Sequence, residues 1–209
     1  QLIADEVEAD DLIAYLCRYS SLKDEEKIIV SSDKDFYQLL DTKTILYRPV
    51  QKKLLTQNDI LEEHGIHPNN FALARAIVGD KSDNLDGVPG IGLKTVAKRF
   101  PFFEREEDVY INDLIEFCEN QESNAKAFIS IKENKSLIQS NYNLMQLYSP
   151  SLSAQTKQSV EWIIDNFEHT FNKTQTQVMM LEDGINEINW NRMFEQFAKI
   201  QRDKKELNK

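Results

Sequence analysis

Gly79-Asp80-Lys81-Ser82-Asp83-Asn84-Leu85-Asp86-Gly87-Val88-Pro89-Gly90-Ile91-Gly92-Leu93-Lys94-Thr95-Val96-Ala97 joins two carboxylates to a glycine-rich turn and a basic helix start. Gly90 and Gly92 allow a backbone turn with exposed N–H groups. The helix that follows adds its positive end. Lys94 and Thr95, with Lys98 one turn on, offer side-chain donors to a phosphate. Contacts of this kind fix position on a nucleic-acid backbone without reading bases. Asp80 and Asp83 also have an ordinary reading, since Asp is a common turn former in a loop bounded by glycine.

Two further acid clusters lie upstream. Glu8-Ala9-Asp10-Asp11 falls at the start of an amphipathic pattern, with Val7, Leu12, Leu16 and Tyr19 on one face of a helix over 5–19. Glu8 and Asp11 share a face of that helix, and Asp10 points elsewhere unless the helix begins there. Acids in a first turn also satisfy the helix dipole, a sufficient explanation for these four residues alone. The second cluster, Ser31-Ser32-Asp33-Lys34-Asp35-Phe36, follows Lys27-Ile28-Ile29-Val30. That apolar run reads as a buried strand of a parallel sheet. Asp33 and Asp35 then sit just past its carboxyl end, where open α/β sheets place ligands, although turn chemistry favours Asp there too. Taken together the three clusters change weight. Hard divalent cations take oxygen ligands, and a two-metal phosphoryl-transfer site needs more acids than one segment presents.

The rest of the pattern is mostly helical. A short helix is expected at 36–40, strands at 44–47 and 53–56, and helices at 56–65, 68–78, 92–100, 109–119, 124–139, 158–167 and 187–202. Thr56 with Asp59 forms a variant capping box, and Pro101 stops the helix before it. Residues 140–157 read as loop, and the polar tail 203–209 as frayed. His64 and His67 read as a solvated helix end rather than ligands. Trp162 and Trp190 suit helix core or a partner-binding face. Phe194, Phe197 and Ile200 lie at helical spacing for core packing.

The chain has 209 residues, 41% apolar and 29% charged, enough for one globular domain with a helical extension. No apolar run approaches the ~20 residues of a membrane span, and no basic-then-apolar leader is visible. Cys17 and Cys118 sit among apolar neighbours and read as buried free thiols in a reducing compartment, the cytoplasm. A net charge of −10 argues on its face against nucleic acid. A metal site, however, concentrates acids that its cations neutralise, and Lys94, Lys98 and Arg99 form a local basic cluster.

In their order and separations, Glu8-Ala9-Asp10-Asp11-Leu12-Ile13-Ala14, Ser31 to Phe36, Gly79 to Asn84 and Gly87 to Ala97 resemble the 5′-nuclease superfamily. It includes flap endonucleases, the 5′-nuclease domain of bacterial DNA polymerase I, and bacteriophage 5′-3′ exonucleases, some called phage RNase H. The resemblance covers about residues 1–100, and the Lys/Asn/Ile-rich style suggests the phage branch. It implies an α/β fold, with residues 1–80 the C-terminal part of a parallel-sheet nuclease core. Residues 81–209 would form a helix–three-turn–helix and a mostly helical C-terminal region. It implies two Mg²⁺ or Mn²⁺ ions. Glu8, Asp10 and Asp33 match ligands of the tighter one, Asp35 and Asp80 complete the cluster, and Asp11 and Asp83 have less direct roles. Gly90, Gly92, Lys94, Thr95 and Lys98 match the duplex-binding motif, and a K⁺ ion is expected at carbonyls near Val88 and Ile91. The implied activity is structure-specific 5′ cleavage of duplex or flapped DNA, or of an RNA–DNA primer, during replication. Family members carry further acids and a basic arch before the Glu-Ala-Asp-Asp motif, so an upstream segment is expected before Gln1. Two alternatives are a non-catalytic duplex-binding fragment of such a nuclease and a more distant α/β RNase.

Overall fold

The computed structural model describes all residues except 1, 3, 5, 6, 122–124, 168–171, 186, 208 and 209, and omits the side chains of 201 and 203–207. The order is α1 (Ala9–Arg18), β1 (Lys27–Val30), a 3-10 turn η1 (Asp35–Leu39), β2 (Thr44–Arg48), β3 (Lys53–Leu55), α2 (Gln57–His64), α3 (Pro68–Val78) and α4 (Leu93–Arg99). Then come η2 (Pro101–Glu104), α5 (Ile111–Glu119), α6 (Lys126–Glu133), α7 (Lys135–Met145), α8 (Ala154–Asn166), α9 (Lys173–Glu182) and α10 (Trp190–Leu207). The chain packs as two units, Gln1–Asp165 and Asn166–Lys209.

The fold is α/β, helix-rich, with one small mixed sheet in the order β1-β2-β3. β1 and β2 run parallel, Lys27 opposite Thr44 and Val30 opposite Tyr47. β2 and β3 run antiparallel, Arg48 opposite Lys53. The few residues between Arg48 and Lys53 allow only a hairpin, because a parallel return needs a crossover of a dozen residues or more. The parallel-sheet core expected from the sequence holds for β1 and β2, and β3 adds an antiparallel strand. The doubly buried strand is corrected. Ile29 is buried, but Ile28 and Val30 are 60% and 65% exposed. In a pleated strand these two share the opposite face, and only one face of β1 is covered.

Helix α3 is the axis of the first unit. Pro68 occupies its first position, where the missing N–H costs nothing, and the His67 ring accepts from Asn69 N–H at 3.3 Å as its cap. Phe71, Leu73, Ala74, Ala76 and Ile77 of α3 join Leu46 of β2, Tyr37 and Leu39 of η1, and Ile138 of α7 in one core. At its far end Phe100, Phe102, Phe103, Phe117 and Phe128 pack edge to face, with centroids from 5.0 to 6.3 Å apart. Phe100, Phe103 and Phe128 are buried, and truncating such a ring to Ala costs about 3–5 kcal/mol. α2 carries the expected capping box of Thr56 and Asp59 and ends on Gly65 in the left-handed region. α1 packs against α8 through a second cluster of Tyr15, Leu152 and Val160.

Several helix boundaries differ from the periodicity. α1 begins at Ala9 rather than at residue 5, and residues 5 and 6 lie outside the described residues. The helix expected over 124–139 is two, broken at Asn134, whose side chain donates back to Ser130 O at 2.8 Å. Residue 124 is not described, and α7 runs on to Met145 into the expected loop. α9 has no counterpart in the sequence reading, and α10 continues through Leu207 where a frayed tail was expected. Of the expected tail, 208 and 209 lie outside the described residues. In the second unit Trp190 stacks on Phe194 at 6.0 Å, and Lys173 Nζ lies 5.4 Å over the Phe194 ring. Phe194 is buried, but Phe197 and Ile200 are exposed, correcting the core stripe drawn from spacing. Trp162 is exposed as well.

Candidate metal centre and phosphate-binding loop

Three segments carry the acids. Glu8 has extended backbone (φ −69°, ψ 144°) and is the N-cap of α1, so Asp10 and Asp11 open the first turn. On a helix running from residue 5, Asp10 would diverge from its neighbours. With the helix starting at Ala9, Asp10 lies in its first turn. Burial first, then Asp33, Glu8, Asp11 and Asp83, hold its carboxyl above the usual carboxylate range. Like charges disfavour ionisation at close range, and Asp33 and Asp83, from the other two segments, are among those acting on Asp10.

The second segment is the crossover from β1 to β2. Ser31 Oγ accepts from Asp33 N–H at 3.0 Å, and Asp33 Oδ1 accepts from Asp35 N–H at 2.9 Å. These successive side-chain turns drive the chain into η1. Arg48 of β2 fixes them, donating to Ser32 O and to the Tyr37 hydroxyl at 3.1 Å each.

The third segment is the loop between α3 and α4. Its neck is a close crossing of backbone. Gly79 has φ +78°, and a Cβ on Gly87 would stand 1.8 Å from Val78 O. Asp80 and Leu85 exchange N–H···O bonds at 2.9 and 2.8 Å, and Val88 N–H donates to Ile77 O at 2.7 Å. Asp80 Oδ1 accepts from Ser82 N–H at 2.8 Å and from its hydroxyl at 2.5 Å. Asn141 of α7, buried, donates to Ala76 O at 3.0 Å and Asp86 O at 2.8 Å, tying the loop to the helical layer.

Arg75, in the last turn of α3, joins the second and third segments. It donates to Asp35 Oδ1 at 3.2 Å and forms a close ion pair with Asp80. The two carboxylates nevertheless shift in opposite directions. Burial pushes Asp35 up to about 6, against the pull of Arg75. The Ser82 hydroxyl bond, ahead of Arg75, holds Asp80 below its ordinary value. Direct hydrogen bonds to the charged form explain the difference.

The acids therefore form two neighbouring groups, one around Asp10 and one around Arg75. Among the described residues no three Asp, Glu, His or Cys side chains stand close enough to hold one metal ion. The donor chemistry still suits a hard divalent cation, and the like charges around Asp10 are the condition a cation relieves. The histidines do not contribute. Burial lowers the pKa of both. His64 packs against Tyr37 and Phe71 at 5.9 and 5.4 Å, and His67 caps α3, so neither is the solvated helix end expected.

Beyond the neck, Gly90, Lys94, Lys98 and Arg99 are exposed, Gly92 and Thr95 are half-buried, and Val88 and Ile91 are buried. Ile91 N–H donates to Val88 O at 3.2 Å, and Gly92 O accepts from Thr95 and Val96 at 2.8 and 3.0 Å, starting α4. A Cβ at Gly90 or Gly92 would meet nothing within 4 Å, so open space lies before the loop. Sequence reasoning missed Arg75, Arg48 and Asn141. Only Arg75 left a signal, the one charged residue of a mostly apolar helix, five residues before Asp80.

The comparisons bear on this arrangement. A family profile described as the 5′-3′ exonuclease N-terminal resolvase-like domain matches residues 1–65. A 5′-3′ exonuclease of Buchnera aphidicola (subsp. Schizaphis graminum) is 38% identical over 106 residues, 51% of this chain and 37% of that protein. Its counterpart from the subspecies Acyrthosiphon pisum is 32% identical over 142 residues, 68% of this chain and 49% of that protein. Thermostable DNA polymerase I of Thermus aquaticus is 42% identical over 91 residues, 44% of this chain and 11% of that protein. The chain thus spans less than half the length of these relatives. Among solved structures, a mutant 5′-exonuclease of T5 superposes with a TM-score of 0.64 at 23% identity, covering 76% of this chain and 65% of that one. A bacteriophage T5 flap endonuclease in a pseudo-enzyme–product complex with DNA and metal ions gives 0.62 at 22%, covering 76% and 58%. At that identity the two structures speak to the fold. The profile and the curated relatives support placing this chain with the 5′-nuclease superfamily.

Proposed function

We propose that this chain is the acid-bearing and duplex-gripping part of a divalent-metal-dependent 5′ nuclease acting on flapped DNA or RNA–DNA primers during replication. The observation that carries this is the convergence on Asp10 of acids from α1, the β1–β2 crossover and the α3–α4 loop. The same loop goes on to the exposed Gly90, Lys94 and Lys98. In this reading Glu8, Asp10 and Asp33 would hold the tighter ion, with Asp11, Asp35, Asp80 and Asp83 around it. Two divalent ions, when bound, supply Lewis acidity and a water acidic enough to attack phosphorus at neutral pH.

The chain's own part is positioning. α3, the loop and α4 act as a helix–three-turn–helix. Gly90 and Gly92 let a phosphate approach the backbone, and Lys94, Thr95 and Lys98 grip the strand without reading bases. A K⁺ ion at carbonyls near Val88 and Ile91 belongs to the same proposal. Cys17 and Cys118 are buried free thiols, which suits a reducing cytoplasm. No described helix is long and apolar enough to cross a membrane.

A second reading has its own observation. Asp35 and Asp80 are already held by Arg75, and no three-ligand group is closed among the described residues. A chain that binds duplex without cutting it would look the same. The test uses a labelled 5′-flap with Mg²⁺ or Mn²⁺, with and without an added upstream segment from a relative. We expect duplex binding by the chain alone. We expect metal-dependent release of short 5′ products with the segment present, abolished by Asp10→Asn. Binding without cleavage in both settings would favour the non-catalytic reading.

A further inference from the structure

Arg75 occupies an unusual place for a cation. Its side chain is 14% exposed, and the partners Asp35 and Asp80 are 18% and 13% exposed. It reaches them from the last turn of α3, across the Gly79 turn to one and across to the β1–β2 crossover for the other. Only its terminal nitrogen is engaged in these pairs. Its Nε is buried with no hydrogen-bond partner among the described residues. Such an orphaned donor is costly, so packing alone does not account for the side chain's position. The two carboxylates account for it, because each would otherwise face the other across a partly dry gap.

We propose that Arg75 is the resident counter-cation of Asp35 and Asp80 and competes with a divalent ion for them. The triad is then the metal-free form of this edge of the site, and a metal ion that recruits either carboxylate displaces the guanidinium. The proposal rests on the metal-binding reading above. A guanidinium and a divalent ion cannot share so small a space without strong like-charge repulsion, so occupancy by one excludes the other. Asp80 keeps its place after release, since Ser82 N–H and hydroxyl still hold Oδ1. Asp33 Oδ1 similarly keeps the backbone of Asp35 in its turn. Arg75 is thus a positioning residue. It screens two acids from each other until the ion arrives.

The test is Mn²⁺ binding, read from free Mn²⁺ by electron paramagnetic resonance, for the full chain and for Arg75→Met, Arg75→Lys and Asp10→Asn. Circular dichroism checks folding. Removing the competitor should tighten binding about tenfold in Arg75→Met, with Arg75→Lys between it and the wild type. A second measurement needs no folded variant. The Arg75 Nε–H resonance of the wild-type chain should shift over the Mg²⁺ range in which the ion binds. It is assigned by its absence in Arg75→Lys or, if that variant does not fold, by site-specific isotope labelling. Unchanged or weaker Mn²⁺ affinity in folded Arg75→Met overturns the proposal, as does an Arg75 signal that stays fixed at saturating Mg²⁺. If Asp10→Asn loses Mn²⁺ while Arg75→Met binds as the wild type does, the metal reading stands and the competition falls. If neither the wild type nor Arg75→Met binds Mn²⁺ at millimolar concentrations, both fall.

Discussion

Replacing Gly87 by Ala should damage this protein severely. The added Cβ would stand 1.8 Å from Val78 O, 2.1 Å from Val78 C and 2.7 Å from Gly79 N. All three are backbone atoms, so no rotamer relieves the contact. The neck must open by more than an ångström, and three hydrogen bonds span it. Val88 N–H to Ile77 O is 2.7 Å, and the Asp80–Leu85 pair is 2.9 and 2.8 Å. At about 1 kcal/mol net each, their loss costs ~3 kcal/mol, and a buried group left unpaired adds ~1–3 kcal/mol more. The expected destabilisation is therefore about 4–6 kcal/mol, a large share of the ~5–15 kcal/mol that holds a typical domain. Urea unfolding followed by circular dichroism measures it, with two controls from the same loop. Gly90 has φ +76° and open space around it, so Gly90→Ala should cost only the ~1–2 kcal/mol of the left-handed backbone. Gly92 has φ −117° and equally open space, so Gly92→Ala should leave stability within ~0.5 kcal/mol. Gly92→Ala should still weaken duplex binding if phosphate approaches that face. A Gly87→Ala protein within ~1 kcal/mol of the wild type, or a Gly92→Ala protein equally destabilised, would refute the close-crossing account.

Lys94→Ala and Lys98→Ala should each weaken duplex binding to the same degree on every sequence and lower the salt slope by about one counterion. Fluorescence anisotropy across salt concentrations checks this, and losses that vary with sequence would count against backbone gripping. Burial raises the Cys17 and Cys118 thiols from 9.0 to about 11. The thiols therefore ionise more readily in the unfolded chain, and their contribution is whole below pH 9 and lost as the pH climbs to 11. Two units correspond to up to about 2–3 kcal/mol per thiol. Urea midpoints at pH 8 and 10 should diverge, and Cys118→Ala should narrow the gap. Asn70 is 1% exposed; it donates to Arg105 O at 2.8 Å and Glu107 O at 3.1 Å and accepts from Val109 N–H at 2.8 Å. Asn70→Ala strands these groups and should cost about 2–4 kcal/mol; a thermal midpoint unchanged within error would refute it.

The elements with a strong local signal were legible in the sequence. Thr56 and Asp59 announced the start of α2, Pro68 the start of α3, and the alternation of glycine with apolar residues at 87–92 the turn between helices. Less legible was whatever depends on a partner distant in sequence. Ile28 and Val30 read as buried because a short apolar run looks alike whether one face or two are covered. The break at Asn134 turns on a single side chain bonding back to the helix, which periodicity does not register. At the candidate site, the acids stood out as residue types, but their grouping did not. Asp10 opens α1 because the helix starts at Ala9, and a sequence pattern places a helix start only to within a few residues. Arg75 was overlooked because a lone cation on a helix says nothing of where it points. Its link to Asp35 spans two of the three strands and all of α2.

The pairing of the sheet has a kinetic consequence. β2 and β3 meet across a tight hairpin at Arg48 and Lys53, whereas β1 pairs with β2 only across the whole segment from Lys27 to Thr44. Hairpins close within about 1–10 μs, and contacts that enclose more chain form later because loop closure must come first. β1 is therefore the last strand to join, and its arrival closes the ring of residues that holds Asp33 and Asp35. During synthesis and refolding, the sheet's final rung and the ordering of the middle acid segment become one event. A slowed β1 would be seen first as a lag in the turn at Ser31–Asp35, before any loss of helix.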